Sequence, residues 1–258
     1  SLHPSNPPIA WRYSWLNSKW KLSIYDFDSR LSRTPIVRTF RSKLIPNLIV
    51  VDKVNGGKAD ALNVAAGFAS HPLVCAIDSD SLLEEESLLR VVIPFILKPD
   101  KTVASGGTIR IANGCYVEHS RVVSGGLPKD LIPLIQIVEY MRAFLCGRVG
   151  WNELGATLII SGAFGVFDRQ TLFDVGGYLG GSVGEDMELV VRIHKYYLDS
   201  KRKKEIVFLP DPVCWTEVPG NWRDLFRQRN RWQRGLGETL WKHKYMLLNP
   251  KYRMIGMV

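Results

Sequence analysis

The stretch LVCAID, residues 73–78, is a run of apolar side chains that predicts a fully buried β-strand. An apolar, β-branched run at residues 48–52 precedes it and is followed by a Gly-rich turn and a helical pattern at 58–69. After it, residues 84–97 have the pattern of a helix that opens with three acids suited to its positive N-terminal end. Strand, helix, strand, helix is typical of a parallel sheet covered by helices, so we predict an α/β fold.

The rest of the chain extends this alternation. The patterns downstream predict a strand at 102–111, an amphipathic helix from 131 to about 146, a Gly-rich strand at 159–167, a helix from Glu185, a strand at 205–209 and a basic, aromatic helix at 222–244. Upstream, the sequence is irregular, with one alternating stretch at 21–28 that predicts an edge strand. We therefore expect an irregular or partial N-terminal segment over residues 1–46 and one α/β domain over 47–258.

Composition limits the class of protein. The 258 residues are 46% hydrophobic, which is enough to bury one sizeable core. An excess of 34 Lys and Arg over 25 Asp and Glu gives a net charge of +9, which suits nucleic acid, an acidic membrane face or a phosphorylated small molecule. The four cysteines are far apart and form no CxxC pair, so we expect reduced thiols in a reducing compartment and no zinc site.

From these residues we expect neither a targeting signal nor a membrane span. No run approaches the ~18–20 apolar residues of a membrane span, and the longest candidate, at 158–167, is too short. Residues 1–20 are polar and aromatic rather than basic and then apolar, so we expect no signal peptide. The chain begins without Met and stops where an apolar run at 252–258 is just starting, so we expect both ends to be cut from a longer protein.

Asp78 and Asp80 follow the carboxyl end of the strand at 73–78, which is where open α/β sheets place ligands. Two carboxylates on alternate residues can reach one divalent cation, which would neutralise a diphosphate leaving group. One alternative is that one aspartate caps the helix near Glu84. Another is a haloacid-dehalogenase-type phosphatase, but that class has its DxD near the chain start and an acidic pair late, and neither is found.

Two further segments carry candidate residues. Lys58 follows a flexible turn at a helix N-terminus, which makes an anion site, although the P-loop spacing is absent and a solvated lysine is the alternative. Asp186, after Gly184 and Glu185, begins a helix. It suits either a capping role or that of a general base, which removes the proton of an attacking sugar hydroxyl.

Gln228, Arg231 and Trp232 are spaced i, i+3 and i+4, so they share one face of the predicted helix. Trp can stack under a sugar ring, while Gln and Arg can bond hydroxyls and phosphate oxygens. The alternative is a basic amphipathic helix that lies on a membrane or on nucleic acid. Its charges would be Arg223, Arg227, Arg229, Arg234, Lys242 and Lys244. The two interpretations are compatible.

These motifs, in this order, resemble the family 2 glycosyltransferases, in particular the membrane-bound processive branch of cellulose, hyaluronan, chitin and poly-N-acetylglucosamine synthases. The resemblance runs from about residue 44 to residue 258. It implies a GT-A-like, mostly parallel sheet flanked by helices, a UDP-sugar donor, a glycan acceptor, and Mg²⁺ or Mn²⁺. It also implies a parent protein held at the cytoplasmic face of the cell membrane by segments outside this chain.

The resemblance gives each candidate residue a role. It makes Asp186 the catalytic base and Asp78 and Asp80 the metal ligands. Lys58, Asp78, Asp80 and Arg231 would contact the donor diphosphate, and the acceptor would be bordered by Gln228, Trp232, Ser161, Gly162 and Glu185.

One part of the family pattern is missing. The usual opening strands, which bind the nucleotide base and ribose, are not found before Leu44. We therefore expect an incomplete GT-A-like domain whose parent is an inverting transferase that moves a hexose or N-acetylhexosamine from a UDP-sugar to a growing glycan. The alternatives are a catalytically deficient piece of such an enzyme, or a non-catalytic basic module that binds an anionic surface or nucleic acid. Nucleic acid is not an expected partner.

Overall fold

The computed structural model describes residues 20–22 and 27–257. By its contacts the chain divides between Phe68 and Ala69 into two compact units. The division falls later than the boundary expected after residue 46, and the assignment of residues 47–258 to one catalytic domain stays a prediction. Among the described residues, no helix is both long enough and apolar enough to cross a membrane.

The first unit contains an antiparallel sheet and a helix. Strands β1 (Trp20–Leu22), β2 (Ile36–Ser42) and β3 (Ile49–Lys53) form the sheet in that order, and helix α1 (Gly57–Phe68) follows. The strand and helix expected at 48–52 and 58–69 are therefore confirmed. Of the edge strand expected at 21–28, only its start lies in β1, and residues 23–26 lie outside the described part of the chain.

A buried carboxylate holds the first unit together. Asp60, on α1, is 2% exposed. It accepts hydrogen bonds from the Arg33 amide at 2.9 Å and from the Lys53 ammonium at 2.6 Å. It also accepts one from the Thr34 hydroxyl. Because a buried charge is costly unless paired and hydrogen-bonded, these donors fix α1 against β3 and the segment before β2.

The second unit is built on a five-stranded mixed sheet. Its strands are β4 (Leu73–Ile77), β5 (Leu82–Leu83), β6 (Thr102–Ile111), β9 (Phe164–Asp168) and β10 (Glu205–Thr216), and a separate hairpin holds β7 (Tyr116–Glu118) and β8 (Arg121–Ser124). The spatial order is β4-β9-β6-β10-β5. β4, β6 and β10 run in one direction, while β9 and β5 oppose them. The α/β class is confirmed, with two antiparallel strands added to the expected parallel set.

Helices flank this sheet. They are α2 (Ser87–Leu97), α3 (Leu131–Met141), α4 (Val149–Glu153), α5 (Arg169–Asp174), α6 (Glu185–Asp199) and α7 (Trp222–Lys242), with a π-helix at Arg142–Arg148 between α3 and α4 and 3-10 turns at Lys244–Met246 and Pro250–Gly256. A further 3-10 turn, at Ser29–Leu31, belongs to the first unit. The helix expected from residue 84 begins three residues later. Glu86 holds its N-cap position with a left-handed φ of 67°, so the acids precede the helix instead of forming its first turn.

Two strands differ in length from their predicted ranges. The Gly-rich strand expected at 159–167 is extended only from Phe164, because the residues just before it form a turn. β10 runs to Thr216, well beyond the expected end at 209, since it pairs with β6 along most of its length. β9 is buried along most of its length, and Phe164 and Val166 belong to the hydrophobic core of the second unit.

Helices α6 and α7 cross at two glycines. A Cβ on Gly235, in the middle of α7, would lie 2.7 Å from the backbone nitrogen of Gly184, which caps α6. The backbones can approach this closely only because neither residue has a side chain. The crossing sets the position of α7 relative to the first turn of α6.

A buried acid ties the same two helices together further along. Glu188 on α6 is 1% exposed and accepts a hydrogen bond from Arg192 Nε at 3.1 Å. Just past the end of α7, His243 Nε2 lies 3.3 Å from the same carboxylate, and Lys242 Nζ lies 3.2 Å away. Burial raises the pKa of Glu188. Hydrogen bonds from His243 and Arg192, with the charges of Arg192 and Lys242, outweigh it and lower the pKa to about 2.

We expect Gly235→Ala to destabilise the protein by about 1–3 kcal/mol, because the new methyl group meets backbone that cannot rotate away. Gly237→Ala is the matched control. A Cβ there meets no described atom within 4 Å beyond the helix itself, so the higher helix propensity of Ala should leave stability equal or raise it by up to about 1 kcal/mol. Urea denaturation measures both. Equal effects of the two substitutions would contradict the close crossing.

The depressed pKa of Glu188 predicts an acid-dependent loss of stability. Its stabilisation should be complete above the unfolded value of 4.5 and should disappear as the pH falls towards about 2. At neutral pH, Glu188→Gln should cost about 3 kcal/mol, because Arg192 and His243 lose their charged partner. The difference in free energy of unfolding between the wild-type protein and Glu188→Gln should become smaller as the pH falls from about 4.5 to about 2. A difference that stays constant with pH would contradict the ion-pair role.

Candidate active site

One turn, Ser161 to Ala163, joins the residues expected to carry the chemistry. The Gly162 amide donates a hydrogen bond to Asp186 Oδ2 at 3.1 Å. The Asp78 amide donates to the carbonyl oxygen of Ala163 at 3.3 Å. The candidate metal-binding segment, the candidate acceptor segment and the candidate base are therefore held at one place in the second unit.

Ile160 anchors this turn to the sheet. Gly106 of β6 and Gly165 of β9 are paired across the sheet. A Cβ on either glycine would lie 2.7 Å or 2.5 Å from Ile160 Cγ2. The side chain of Ile160 is 2% exposed, so it fills the space that the two missing side chains leave. The turn that follows it is thereby fixed at the sheet surface.

Asp186 lies in the first turn of α6, but it is not the helix cap. Gly184 occupies the N-cap position. The carboxylate of Asp186 accepts hydrogen bonds from the Met187 amide at 2.8 Å and from the Gly162 amide of the turn at 161–163. Both bonds hold a partly exposed carboxylate in a fixed orientation, which is the arrangement that a general base requires.

Asp78 and Asp80 stand where the sequence places them, just past β4. Asp78 is half-buried and Asp80 is exposed. Neither caps α2, whose N-cap is Glu86. Both carboxylates lie close to Cys214: burial, and then their negative charges, raise the pKa of its thiol to about 11.

This pair fits a cation that needs few protein ligands. In the part of the chain that the structure describes, no three His, Cys, Asp or Glu side chains gather as a metal site. Mg²⁺ and similar ions are commonly held by one or two carboxylates, with substrate phosphates and water completing the shell. Asp78 and Asp80 therefore suit a metal that arrives with a diphosphate.

Arg148 is a site residue that the sequence did not single out. Its guanidinium carbon lies 3.9 Å from the centre of the Phe144 ring. Burial lowers the pKa of Arg148 to about 10, and the negative charge of Asp186 opposes this effect only in part. A half-buried cation that interacts with the charge of the candidate base therefore belongs to this site. No short motif marks it, because a buried arginine looks like any surface arginine in the sequence.

The α7 motif is close to the same group of side chains. The Trp232 ring, 42% exposed, lies 6.5 Å from the Tyr140 ring, which lies 5.7 Å from Phe144. Arg229 covers the Trp232 ring at 4.3 Å and forms an ion pair with Glu139 on α3. Arg229 was considered from the sequence only as a surface charge, whereas the structure makes it the support of Trp232.

The remaining candidates are less closely joined. Gln228 is half-buried and Arg231 is exposed, so only part of the expected common face points inward. Glu185 stands beside Asp186 at the start of α6. The pKa of Tyr178 is raised, first by burial of its side chain and then by the negative charges of Asp186 and Glu185. Lys58 lies in the first turn of α1, which belongs to the first unit. The roles of all these residues stay predictions.

Known proteins are similar to this chain in sequence and in fold. The family profile "Glycosyl transferase family group 2" matches residues 73–257. A poly-beta-1,6-N-acetyl-D-glucosamine synthase from Staphylococcus epidermidis is 28% identical over 199 residues, which are 77% of this chain and 43% of that protein. A synthase of the same name from Staphylococcus aureus (strain COL) is 28% identical over 206 residues, 80% of this chain and 45% of that protein.

A solved structure confirms the fold. A mannosyltransferase from Pyrobaculum calidifontis, in complex with GDP-Man and Mn2+, is 21% identical with a TM-score of 0.52, and the match covers 77% of this chain and 47% of that one. The chain thus spans less than half the length of these relatives. The structural likeness confirms the expected GT-A-like fold, and the profile match covers most of the residues. This chain belongs to the glycosyl transferase family group 2.

Proposed function

We propose that the chain is the glycosyl-transferring part of a longer protein that moves a hexose or N-acetylhexosamine from a nucleotide diphosphate sugar to a growing glycan. The observation that carries this proposal is the single turn at 161–163, which hydrogen-bonds both the segment of Asp78 and the carboxylate of Asp186. Donor activation and acceptor deprotonation must occur within a few ångströms of each other, and this turn supplies that proximity.

In the proposed reaction, Asp186 takes the proton of the attacking acceptor hydroxyl. A single base on the face opposite the leaving group would give inversion at the anomeric carbon. The exposed ring of Trp232 offers a flat apolar surface to the acceptor sugar. A cation held by Asp78 and Asp80 would supply charge neutralisation for the diphosphate leaving group.

The donor is proposed as a UDP-sugar. The names of the staphylococcal relatives favour an N-acetylhexosamine, whereas the archaeal structure was solved with GDP-Man, so GDP-mannose is the comparison donor. Attachment to the cytoplasmic face of a membrane, through other parts of the longer protein, is implied by the resemblance to the membrane-bound branch. The direct test incubates the protein with UDP-N-acetylglucosamine, UDP-glucose or GDP-mannose and a β-1,6-linked N-acetylglucosamine oligosaccharide, and detects the extended product by mass spectrometry.

Replacing the candidate base separates catalysis from folding. We expect Asp186→Asn to keep an acceptor oxygen for the Gly162 amide and so to fold, while kcat falls by roughly 10²–10⁴-fold through loss of the proton acceptor. Asp174→Asn, on the exposed end of α5, is the control and should keep the wild-type kcat. A folded Asp186→Asn protein with undiminished kcat would exclude Asp186 as the base.

Metal removal tests the paired aspartates. Chelation should abolish transfer, and Mg²⁺ or Mn²⁺ should restore it in the wild-type protein. Asp80→Asn should respond poorly to added metal, because uncompensated charge on the leaving group raises the barrier by several kcal/mol. Turnover is measured across a metal titration. Full activity in excess chelator would show that the aspartates do not act through a cation.

A further inference from the structure

Tyr140, Phe144 and Arg148 form a ladder on one continuous helical segment. Each residue follows the last by four positions, running from α3 through the π-helix Arg142–Arg148. The Tyr140 and Phe144 rings lie 5.7 Å apart, and the Arg148 guanidinium sits 3.9 Å from the Phe144 ring centre. Trp232 lies next to Tyr140 at one end of the ladder, and the charge of Asp186 acts on Arg148 at the other end. π-Helical turns are rare and often occur at functional sites.

The end of this ladder carries an unused hydrogen-bond donor. Arg148 Nη1 is buried, and it makes no hydrogen bond to any residue of the described chain. Arg229 Nη1, whose charge acts on the same Tyr140, is buried and unpaired in the same way. Because a buried donor without an acceptor is costly, such atoms in a native protein indicate a missing partner, either water or a ligand.

The surroundings of Arg148 favour a neutral ligand. The carboxylate of Asp186 already offsets the positive charge of the guanidinium. A phosphate would favour an uncompensated cation, and the segment suited to the diphosphate, which carries Asp78 and Asp80, is bonded to a different residue of the turn at 161–163. The aromatic rings of Tyr140 and Trp232 are the surfaces on which sugar rings pack.

We propose that Arg148 binds the acceptor, with Nη1 donating a hydrogen bond to an oxygen of the sugar whose reacting hydroxyl lies at Asp186. The inference rests on the proposed function and adds to it a contact that the family motifs do not contain. In this proposal Arg148 contributes to the affinity for the acceptor. Its Nη1 hydrogen bond holds the acceptor sugar in place while Asp186 accepts the proton. The position beside the base also limits which acceptor oxygen can face the donor.

Arg148→Lys is the decisive substitution. Lysine keeps the positive charge beside Asp186 and over Phe144, but it lacks the planar fork and the Nη1 donor. Arg142→Lys is the matched control, because Arg142 lies at the exposed start of the same π-helix. Three quantities are measured for each protein: the KM for acceptor, the KM for donor, and the affinity for acceptor alone, by saturation-transfer NMR without nucleotide. The acceptor probes are β-1,6- and β-1,4-linked N-acetylglucosamine oligosaccharides and a β-1,4-linked glucose oligosaccharide.

We expect Arg148→Lys to raise the acceptor KM, and to weaken acceptor binding, at least about tenfold, the effect of one lost hydrogen bond to a charged group. The donor KM should change by less than about twofold, and Arg142→Lys should leave all values unchanged. Wild-type acceptor affinity in Arg148→Lys would show that Arg148 only balances the charge of Asp186. A raised donor KM would instead place it at the diphosphate.

Three further outcomes are also decisive. Loss of the cooperative unfolding transition in Arg148→Lys, but not in Arg142→Lys, would assign Arg148 to packing and overturn the inference. If the wild-type protein binds one of the oligosaccharides but transfers no sugar from any donor, the proposed function fails, while the comparison of binding still decides the role of Arg148. Failure of all three oligosaccharides to bind the wild-type protein would overturn the inference.

Discussion

The hydrogen bond from the Gly162 amide to the carboxylate of Asp186 is the contact on which the site depends. A general base is effective only when its carboxylate is held within a fraction of an ångström of its working position. Here the holding group is a backbone amide on a turn that Ile160 fixes to the sheet. The next residue of the turn, Ala163, accepts from the Asp78 amide, so the same few atoms place the segment carrying Asp80.

This dependence explains why the sheet is built around two glycines. Gly106 and Gly165 face each other on β6 and β9, and Ile160 occupies the space above them. A side chain at either position would push Ile160 outward and carry the turn with it. The loss would then fall on the alignment of Asp78 and Asp186 rather than on the strands themselves. A second pair of small residues, Gly184 and Gly235, works in the same way between α6 and α7.

Local sequence patterns predict the bounds of an element correctly where a run of apolar residues gives way to polar ones at its end. β6 was predicted with its observed bounds, and the strand before Asp78 ends where the apolar run ends. The position of Asp78 and Asp80 at a strand end followed directly. The helix after them began later than expected, because Glu86 takes a left-handed conformation that a run of three acids does not reveal.

Features that depend on distant residues could not be predicted. β9 enters the sheet between β4 and β6 and runs against both, which no pattern within residues 164–168 indicates. The turn at 161–163 matched a family segment, but its bonds to Asp78 and Asp186 join residues far apart in the chain. No sequence pattern indicates a role for Arg148, because its environment results from packing on Phe144 and from the charge of Asp186, which is distant in the chain. Such information exists only in the folded chain.

The charge of α7 argues against a helix made mainly to bind a polyanion. Four of its basic residues are matched by carboxylates of this chain: Arg227 with Asp224, Arg229 with Glu139, Arg234 with Glu238, and Lys242 with Glu188. Exposed ion pairs of this kind add little stability, but each one neutralises a positive charge that would otherwise attract a polyanion. Arg229 and Lys242 also connect α7 to other helices, since their partners lie on α3 and α6. The cations of α7 thus fix the helix that carries Trp232 to the two helices that border the candidate site, which gives Trp232 the fixed position that its proposed role in acceptor binding requires.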